Sequence, residues 1–284
     1  MVTIKAPAKI NLALDTLYKR DDSFHEVEMI MTTVDLADYI TVTELEKNEI
    51  RLTSNKYTLP LNEKNIAYQA AKLFKKHFKI KKGVEIYIKK QIPVAAGLAG
   101  GSSNAAATLK ALRELWNVDC SLDELADLGA ELGSDVPFCV YGGTALATGR
   151  GEKIQSIPSP PKCWVILIKP GIGVSTKEIY EALDTSGREP LAIKEMLVCI
   201  EQQNYEGICQ RLGNSLEEVT FKRYPMVAEI KKKLIQFGAD AVLMSGSGPT
   251  VFALVRKEYK LRRIVNSLNG CFRDYEIHAV RLIG

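Results

Sequence analysis

The stretch that decides the fold is Pro93-Val-Ala-Ala-Gly-Leu-Ala-Gly-Gly-Ser-Ser-Asn-Ala-Ala-Ala107. Before it, apolar and polar residues alternate from Val84 to Lys89, which predicts a strand with one buried face. After it, apolar residues recur at helical spacing from Leu109 to Trp116, and the alanines favour a helix. The sequence therefore predicts a strand, a glycine-rich loop, and a helix that opens at about Ser102 or Ser103.

The composition of this loop predicts phosphate binding. Gly97, Gly100 and Gly101 allow backbone N–H groups to turn toward a ligand where a Cβ would block them. The helix that follows presents unpaired N–H groups at the positive end of its dipole, and Ser102 and Ser103 add hydroxyls. The alternative is a turn of small residues where two elements pack closely. The strand–helix frame favours the phosphate site.

The common phosphate-binding signatures are absent from the sequence. A Walker A loop needs Gly-Lys followed by Ser or Thr, and Gly-Lys does not occur in the chain. The protein-kinase motifs His-Arg-Asp and Asp-Phe-Gly are missing too, and the glycines do not fit Gly-x-Gly-x-x-Gly. Any phosphate site here belongs to another class.

Composition indicates an ordinary globular protein of one large domain or two domains. The 284 residues are 46% hydrophobic and 25% charged, with a net charge of +4 and no basic block of the kind that binds nucleic acid. We expect no membrane span, because the longest uncharged run is broken by proline, glycine and serine. Six cysteines without a C-x-x-C pair, and no secretory signal, predict a cytoplasmic protein. The three histidines have no companion ligands for zinc.

A proline-rich segment, 156–162, predicts the domain boundary, with an N-terminal domain over 1–158 and a C-terminal domain over 159–284. The second half contains strands and helices in a β-α-β-β-α-β-like order around a second glycine turn, Ser245-Gly-Ser-Gly-Pro249. This order predicts a ferredoxin-like α+β domain.

Sequence patterns also predict strands and helices in the N-terminal half of the chain. Strands are predicted over 29–34, 38–45 and 49–53, the last two joined by a hairpin-like turn near Lys47-Asn48. A helix is predicted over 64–77. Another follows Ser121, a predicted N-cap with Glu124 at the capping-box position.

Three polar residues have both a functional and an ordinary interpretation. Lys9 lies on the predicted polar face of a strand, where a solvated lysine is the ordinary expectation. His25 is a base, a ligand or a surface residue. Asp135 precedes Val136-Pro137, and since proline disfavours a helical residue before it, we expect Asp135 at a turn, where capping is the ordinary role.

Three segments together resemble motifs one, two and three of the GHMP kinases: Pro7–Leu12, Pro93–Ser103 and Met244–Phe252. The resemblance implies an α+β fold of two domains. The N-terminal domain is expected to be like domain 2 of ribosomal protein S5, and the C-terminal domain ferredoxin-like. Segments 24–29, 133–138 and 142–151 narrow the resemblance to members that phosphorylate cytidine diphosphate methylerythritol in the non-mevalonate isoprenoid pathway.

The resemblance implies transfer of the γ-phosphoryl group of ATP to the C2 hydroxyl of that alcohol. Asp135 matches the family's general base, and Lys9 matches the lysine that holds the base ionised and orients the hydroxyl. Such a pairing is chemically sensible, because an opposite charge favours the carboxylate. Asn11 is expected to bind the erythritol part.

The resemblance also implies an ATP site with Mg²⁺ accompanying the nucleotide. Asn65 and Lys90 are further nucleotide candidates, and Ser102 or Ser103 are the candidates for contact with the metal, whose ligands the sequence does not identify. The residues expected around the phosphates are Pro93, Val94, Ala95, Ala96, Gly97, Leu98, Ala99, Gly100, Gly101, Ser102 and Ser103.

Cytosine recognition in the relatives uses a Tyr-His pair and an aromatic residue from the second domain. The matching residues are Phe24, His25 and Tyr180, and the turn at Gly246, Ser247 and Gly248 is expected to close over the substrate phosphates. Phe24 retains the ring without the hydroxyl, and both Ser23 and Ala99 replace glycines usual in the family. We expect a small-molecule partner, no nucleic acid or membrane, and a monomer or homodimer.

Overall fold

The computed structural model describes residues 1–184 and 187–284, which form an α+β fold. Contacts divide the chain into two compact units. Unit 1 consists of Met1–Ala8, Leu36–Ile92 and Ala99–Gly142; unit 2 consists of Lys9–Asp35, Pro93–Leu98 and Gly143–Gly284. The long strands β1 (Val2–Lys19) and β2 (His25–Leu45) contribute residues to both units. Since these units follow contacts and not chain order, a domain boundary at residue 158 stays a prediction.

Unit 1 combines part of a mixed sheet with four helices. The strand order is β3-β4-β2-β1, where β3 is Ile50–Ser54 and β4 is Gly83–Lys89; β4 is antiparallel to β2 and parallel to β3. The helices, which contact one another, are α1 (Ile66–His77), α2 (Gly100–Leu115), α3 (Leu122–Leu132) and α4 (Val136–Tyr141). Phe74 and the apolar face of β4 are fully buried, so the predicted alternation of β4 is confirmed.

The predicted hairpin-like turn at Lys47-Asn48 is wrong. β4 occupies the position beside β2, and β3 pairs with the other edge of β4. Two backbones pass closely where β4 begins: a Cβ on Gly83 would lie 1.9 Å from the carbonyl oxygen of Lys47 and 2.8 Å from that of Glu49. The glycine permits this crossing, which strand alternation does not reveal.

Helix starts in unit 1 follow capping rules, with one correction. Ser121 caps α3 by accepting a hydrogen bond from the N–H of Glu124 at 3.0 Å, as predicted. Val136, however, is the first residue of α4, so the prediction that Pro137 forces it out of helical geometry is wrong. N–H groups of the first turn have no intrahelical acceptor, so a proline there removes no hydrogen bond.

Unit 2 holds the remaining strands of the first sheet and a second sheet. β5 (Thr144–Thr148) pairs with β2 and β6 (Lys153–Ile157), and β8 (Gly213–Asn214) pairs with β1. The strands of the second sheet are β7 (Trp164–Lys169), β9 (Ala241–Met244), β10 (Val251–Val255) and β11 (Glu276–Arg281). This sheet is antiparallel, with the order β11-β7-β10-β9.

The second sheet confirms the predicted ferredoxin-like arrangement. Helices α9 (Pro225–Gln236) and α10 (Glu258–Cys271) contact it, and the chain order is β7-α9-β9-β10-α10-β11. Between β7 and α9, the described residues form four helices: α5 (Thr176–Glu181), α6 (Ile193–Glu201), α7 (Tyr205–Arg211) and α8 (Glu217–Arg223). Within residues 1–184 and 187–284, no helix has both the length and the apolar character needed to cross a membrane.

Candidate active site

The predicted phosphate helix, α2, begins without a side-chain cap. It starts at Gly100, slightly before the predicted Ser102 or Ser103, because Ala99 takes a left-handed conformation (φ 54°) immediately before it. The N–H of Ser103 donates to the carbonyl of Ala99 at 2.8 Å, as the helical pattern requires. The N–H groups of residues 100–102 therefore have no acceptor within the helix, which is the arrangement that binds anions.

The preceding part of the loop, Pro93–Leu98, belongs to unit 2 and contacts the second glycine turn there. The hydroxyl of Ser245 donates to the carbonyl of Gly97 at 2.9 Å. Gly97 has φ +71°, and a Cβ on it would lie 2.3 Å from the carbonyl oxygen of Ser245. Glycine is thus required at position 97 both for its conformation and for this close approach.

The second glycine turn is held by Asn214, which the sequence analysis missed. The side-chain amide of Asn214 donates to the carbonyls of Met244 and Gly246, both at 2.8 Å. Gly246 and Gly248 have φ values of +55° and +83°, and the hydroxyl of Ser247 lies 2.9 Å from that of Thr176 in α5. An isolated asparagine far from the turn in sequence carries no motif by which it could be found.

Lys9 is a buried residue, so the solvated interpretation of this lysine is wrong. Its relative exposure is 4%, and its ammonium donates to the side-chain oxygen of the fully buried Asn11 at 2.7 Å. The Lys9 ammonium nitrogen lies 3.7 Å from the position that a Cβ on Gly246 would occupy. Removing an ammonium from water is costly, so its burial makes Lys9 a candidate for charge chemistry.

His25 and Tyr180 lie together in unit 2, as the resemblance implies. Their ring centroids are 5.4 Å apart with the planes inclined by 37°, and His25 is buried. Burial lowers the pKa of His25, and the positive charge of Lys19 lowers it further. Phe24 is instead half exposed, with the guanidinium of Arg150 5.0 Å from its ring centroid.

Asp135 belongs to unit 1, at the residue that precedes α4. Its backbone is helical (φ −81°, ψ −11°) and its side chain makes no capping hydrogen bond. The Asp135 carboxylate therefore does not cap α4, although capping is the ordinary role expected for an aspartate at this position. Lys9, by contrast, belongs to unit 2.

The remaining nucleotide candidates have well-defined partners in unit 1. Asn65 caps α1 by accepting from the N–H of Ala67 at 2.9 Å. Lys90 is buried and forms an ion pair with Asp38, a residue that the sequence analysis missed. The hydroxyl of Ser103 donates to the carbonyl of Pro7 at 2.7 Å, whereas Ser102 is partly exposed.

Comparison with known proteins decides the family. Residues 65–143 match the GHMP kinases N-terminal domain, and residues 196–274 match the GHMP kinases C-terminal domain. The chain is 60% identical over 280 residues to the 4-diphosphocytidyl-2-C-methyl-D-erythritol kinase of Bacillus subtilis, an alignment that covers 99% of this chain and 96% of the relative. The chain belongs to the GHMP kinase family.

Solved structures agree with this assignment. A crystal structure of 4-(cytidine 5'-diphospho)-2C-methyl-D-erythritol kinase is similar over 100% of both chains, with 31% identity and a TM-score of 0.84. The homoserine kinase of Cytophaga hutchinsonii shares the fold, with 20% identity, a TM-score of 0.79, and coverage of 99% of this chain and 94% of that one. The α+β two-domain architecture of the GHMP kinases and the kinase activity expected from the motifs are both confirmed.

Proposed function

We propose that this GHMP kinase uses ATP to phosphorylate the C2 hydroxyl of 4-diphosphocytidyl-2-C-methyl-D-erythritol, in the non-mevalonate route to isoprenoid precursors. The observation that carries the proposal is the 60% identity, over 99% of the chain, to the 4-diphosphocytidyl-2-C-methyl-D-erythritol kinase of Bacillus subtilis. We also assign residues 1–158 to the N-terminal kinase domain and 159–284 to the C-terminal one. The two family matches, 65–143 and 196–274, lie on either side of residue 158 and support this boundary.

ATP binds through the glycine-rich segment Pro93–Ser103 in this proposal. The N–H groups at the start of α2 donate hydrogen bonds to the phosphate oxygens, and the positive end of the helix dipole favours the negative charge of the phosphates. Asn65 and Lys90 complete the nucleotide site, since both lie in the same unit as α2.

Mg²⁺ accompanies the nucleotide and neutralises charge on the phosphates. Among the described residues, no three His, Cys, Asp or Glu side chains cluster as a metal cage. In phosphoryl-transfer sites Mg²⁺ is held largely by substrate phosphates and water, with one or two protein ligands. Ser102, partly exposed in the first turn of α2, would contact the ion through its hydroxyl.

Transfer begins when the C2 hydroxyl of the alcohol attacks the γ-phosphorus. Asp135 takes the hydroxyl proton, the bond from the γ-phosphorus to the bridging oxygen of ADP breaks, and the products are ADP and a phosphate monoester. Lys9, which donates to Asn11, assists the base and helps to orient the C2 hydroxyl. Asn11 also binds the erythritol part, and the turn Gly246–Gly248 supplies backbone contacts to the substrate phosphates.

The cytosine ring binds against His25 and Tyr180. A buried imidazole with a lowered pKa is neutral at pH 7, so it offers one donor and one acceptor to the base while Tyr180 provides a stacking surface. Phe24 adds a second aromatic surface. Homoserine and mevalonate carry no base, so this pair distinguishes the proposed substrate from those of other family members.

The test is ADP release by the purified protein with Mg²⁺-ATP and each of three alcohols: the cytidyl substrate, homoserine and mevalonate. We expect turnover with the cytidyl alcohol alone. Turnover with homoserine or mevalonate, or ATP binding without turnover on any of the three, contradicts the proposed substrate. A His25→Ala variant serves as a matched control, since it is expected to raise KM for the cytidyl alcohol and leave KM for ATP unchanged.

A further inference from the structure

Asp38 is a fully buried carboxylate that accepts hydrogen bonds from four donors, and no step of the proposed reaction uses it. It forms an ion pair with the ammonium of Lys90 and accepts from the side-chain amide of Asn104 at 2.7 Å. It also accepts from the backbone N–H groups of Gln91 at 2.6 Å and Ile92 at 2.8 Å. All five residues belong to unit 1. We call Asp38, Lys90 and Asn104 the Asp38 cluster.

These donors come from both sides of the glycine-rich loop. Lys90, Gln91 and Ile92 follow β4 and lead into the loop, whereas Asn104 lies on α2, one turn after Gly100. One carboxylate therefore joins the end of the strand to the start of the phosphate helix. A cross-link of this kind fixes the direction in which the first N–H groups of α2 point.

Lys90 extends the cluster to the first residue of α2. Its ammonium nitrogen lies 2.9 Å from the position that a Cβ on Gly100 would occupy. Burial lowers the pKa of Lys90, and the charge of Asp38 opposes that effect. Asp38 thus keeps a cation beside the residue where the helix begins.

We propose that Asp38 is a positioning residue for ATP, which acts through Lys90 and Asn104 to hold the N–H groups at the start of α2 in phosphate-binding geometry. The inference rests on the proposed use of ATP. The physical reason is that preorganised donors bind phosphate without a cost of reorganisation, and small displacements of such donors reduce affinity steeply. Such a residue affects the nucleotide selectively and has little effect on the alcohol.

The test compares the Kd of Mg²⁺-ATP with the Kd of the cytidyl alcohol in Asp38→Asn, both by calorimetry. We expect the ATP Kd to rise about tenfold to a hundredfold, the range for loss of a charge-assisted hydrogen bond, and the alcohol Kd to stay within about twofold. Loss of a buried charge can prevent folding, so Asn104→Ala is the second variant. Its ATP Kd is expected to rise about threefold to tenfold, as for a neutral donor.

A matched control is Thr108→Val, a buried position one turn further along α2 whose hydroxyl donates to the carbonyl of Asn104 at 2.8 Å. It perturbs the same helix without touching Asp38, and its ATP Kd is expected to equal that of the wild type. Unchanged ATP affinity in both Asp38→Asn and Asn104→Ala overturns the proposal. Equal weakening of ATP and alcohol overturns it as well, because that pattern indicates a purely structural role.

A double variant, Asp38→Asn with Lys90→Met, separates positioning from charge burial. Removing both charges leaves no unpaired buried ion, so the melting temperature is expected to recover relative to Asp38→Asn alone. The ATP Kd is expected to stay high, and its recovery together with the melting temperature overturns the proposal. A wild type that binds ATP but does not turn over the cytidyl alcohol refutes the proposed substrate, while the ATP Kd values of the variants still decide the role of Asp38.

Discussion

Two lysines in this chain are buried to almost the same extent and have different partners. Lys9, 4% exposed, donates to the neutral amide of Asn11 in unit 2, and Lys90, 5% exposed, pairs with the carboxylate of Asp38 in unit 1. Asn11 accepts a hydrogen bond from the Lys9 ammonium and so fixes its direction, which suits the orienting role that we propose for Lys9. Asp38 neutralises Lys90 and, through its other hydrogen bonds, fixes the position of Lys90 within unit 1. Burial makes both ammonium groups costly to keep, and each donates to a buried side chain of its own unit.

The largest expected effect concerns Asp135, the proposed general base. In Asp135→Asn the general base is lost while the side-chain shape remains, so kcat is expected to fall about a thousandfold, within the usual range for general-base catalysis. ATP Kd is expected to stay within about twofold, because the N–H groups of α2 are unchanged. Calorimetry and ADP release measure the two quantities.

The control for that variant is Asp127→Asn, which removes an exposed carboxylate from α3. It is expected to leave kcat and ATP Kd unchanged. Full turnover in Asp135→Asn removes Asp135 from the mechanism.

The next prediction compares the effects of replacing each of the two buried lysines. Lys90→Met leaves the Asp38 carboxylate buried without its cation, which is expected to lower the free energy of unfolding by about 3–5 kcal/mol. Lys9→Met is expected to act mainly on turnover, with kcat reduced about a hundredfold by loss of electrostatic stabilisation. Urea denaturation and steady-state kinetics provide the two readouts.

Lys89→Met is the matched control, since Lys89 lies next to Lys90 on β4 with its side chain exposed. It should change neither quantity. If Lys9→Met and Lys90→Met give the same pattern of stability and turnover, the distinction between the lysines fails.

A smaller effect concerns pH and the His25–Tyr180 pair. The lowered pKa of His25 means that the ring is neutral at its ordinary value of 6.5 and takes up a proton only at lower pH. KM for the cytidyl alcohol is therefore expected to be constant above pH 6.5 and to rise as the pH falls below it. His25→Gln should abolish this dependence, and a KM that rises toward high pH instead contradicts the assignment.

The smallest predicted effect concerns the loop backbone. Ala99, where the family usually has glycine, is left-handed with φ +54°, a conformation that disfavours any residue with a Cβ. Ala99→Gly is expected to raise the free energy of unfolding by up to about 1 kcal/mol. Ala130→Gly within α3 is the opposite control and should lower it by about 1 kcal/mol. Destabilisation by Ala99→Gly contradicts the assigned backbone conformation.

Much of the fold followed from local patterns in the sequence. The alternation in β4, the Ser121 cap, the glycine loop before α2 and the ferredoxin-like order all depend on residues close together in the chain. The placement of β3 beyond β4 did not follow, because it depends on close contact at Gly83 between segments distant in sequence. The helical Val136 was missed because the rule for residues before proline is weakest in the first helical turn.

Candidate site residues could be predicted where a sequence motif contains them. Residues that hold the glycine turns in place from distant parts of the chain could not be predicted. Lys9, His25 and Asp135 lie within motifs, so the family resemblance predicts roles for them. Asp38 and Asn214 support the two glycine turns from strands far away in sequence, so no spacing pattern marks them. The left-handed φ of Ser23, +69°, could have been anticipated from the glycine that the family usually has there.

The most direct test of the central claim is the position of the phosphoryl group in the product, measured by ³¹P NMR after reaction of the cytidyl alcohol with Mg²⁺-ATP. The account predicts that the diphosphate resonances persist and that one new phosphate monoester appears, bonded to the C2 oxygen, with one ADP formed for each. A monoester on another hydroxyl, or ADP formed together with free phosphate and no ester, would contradict it.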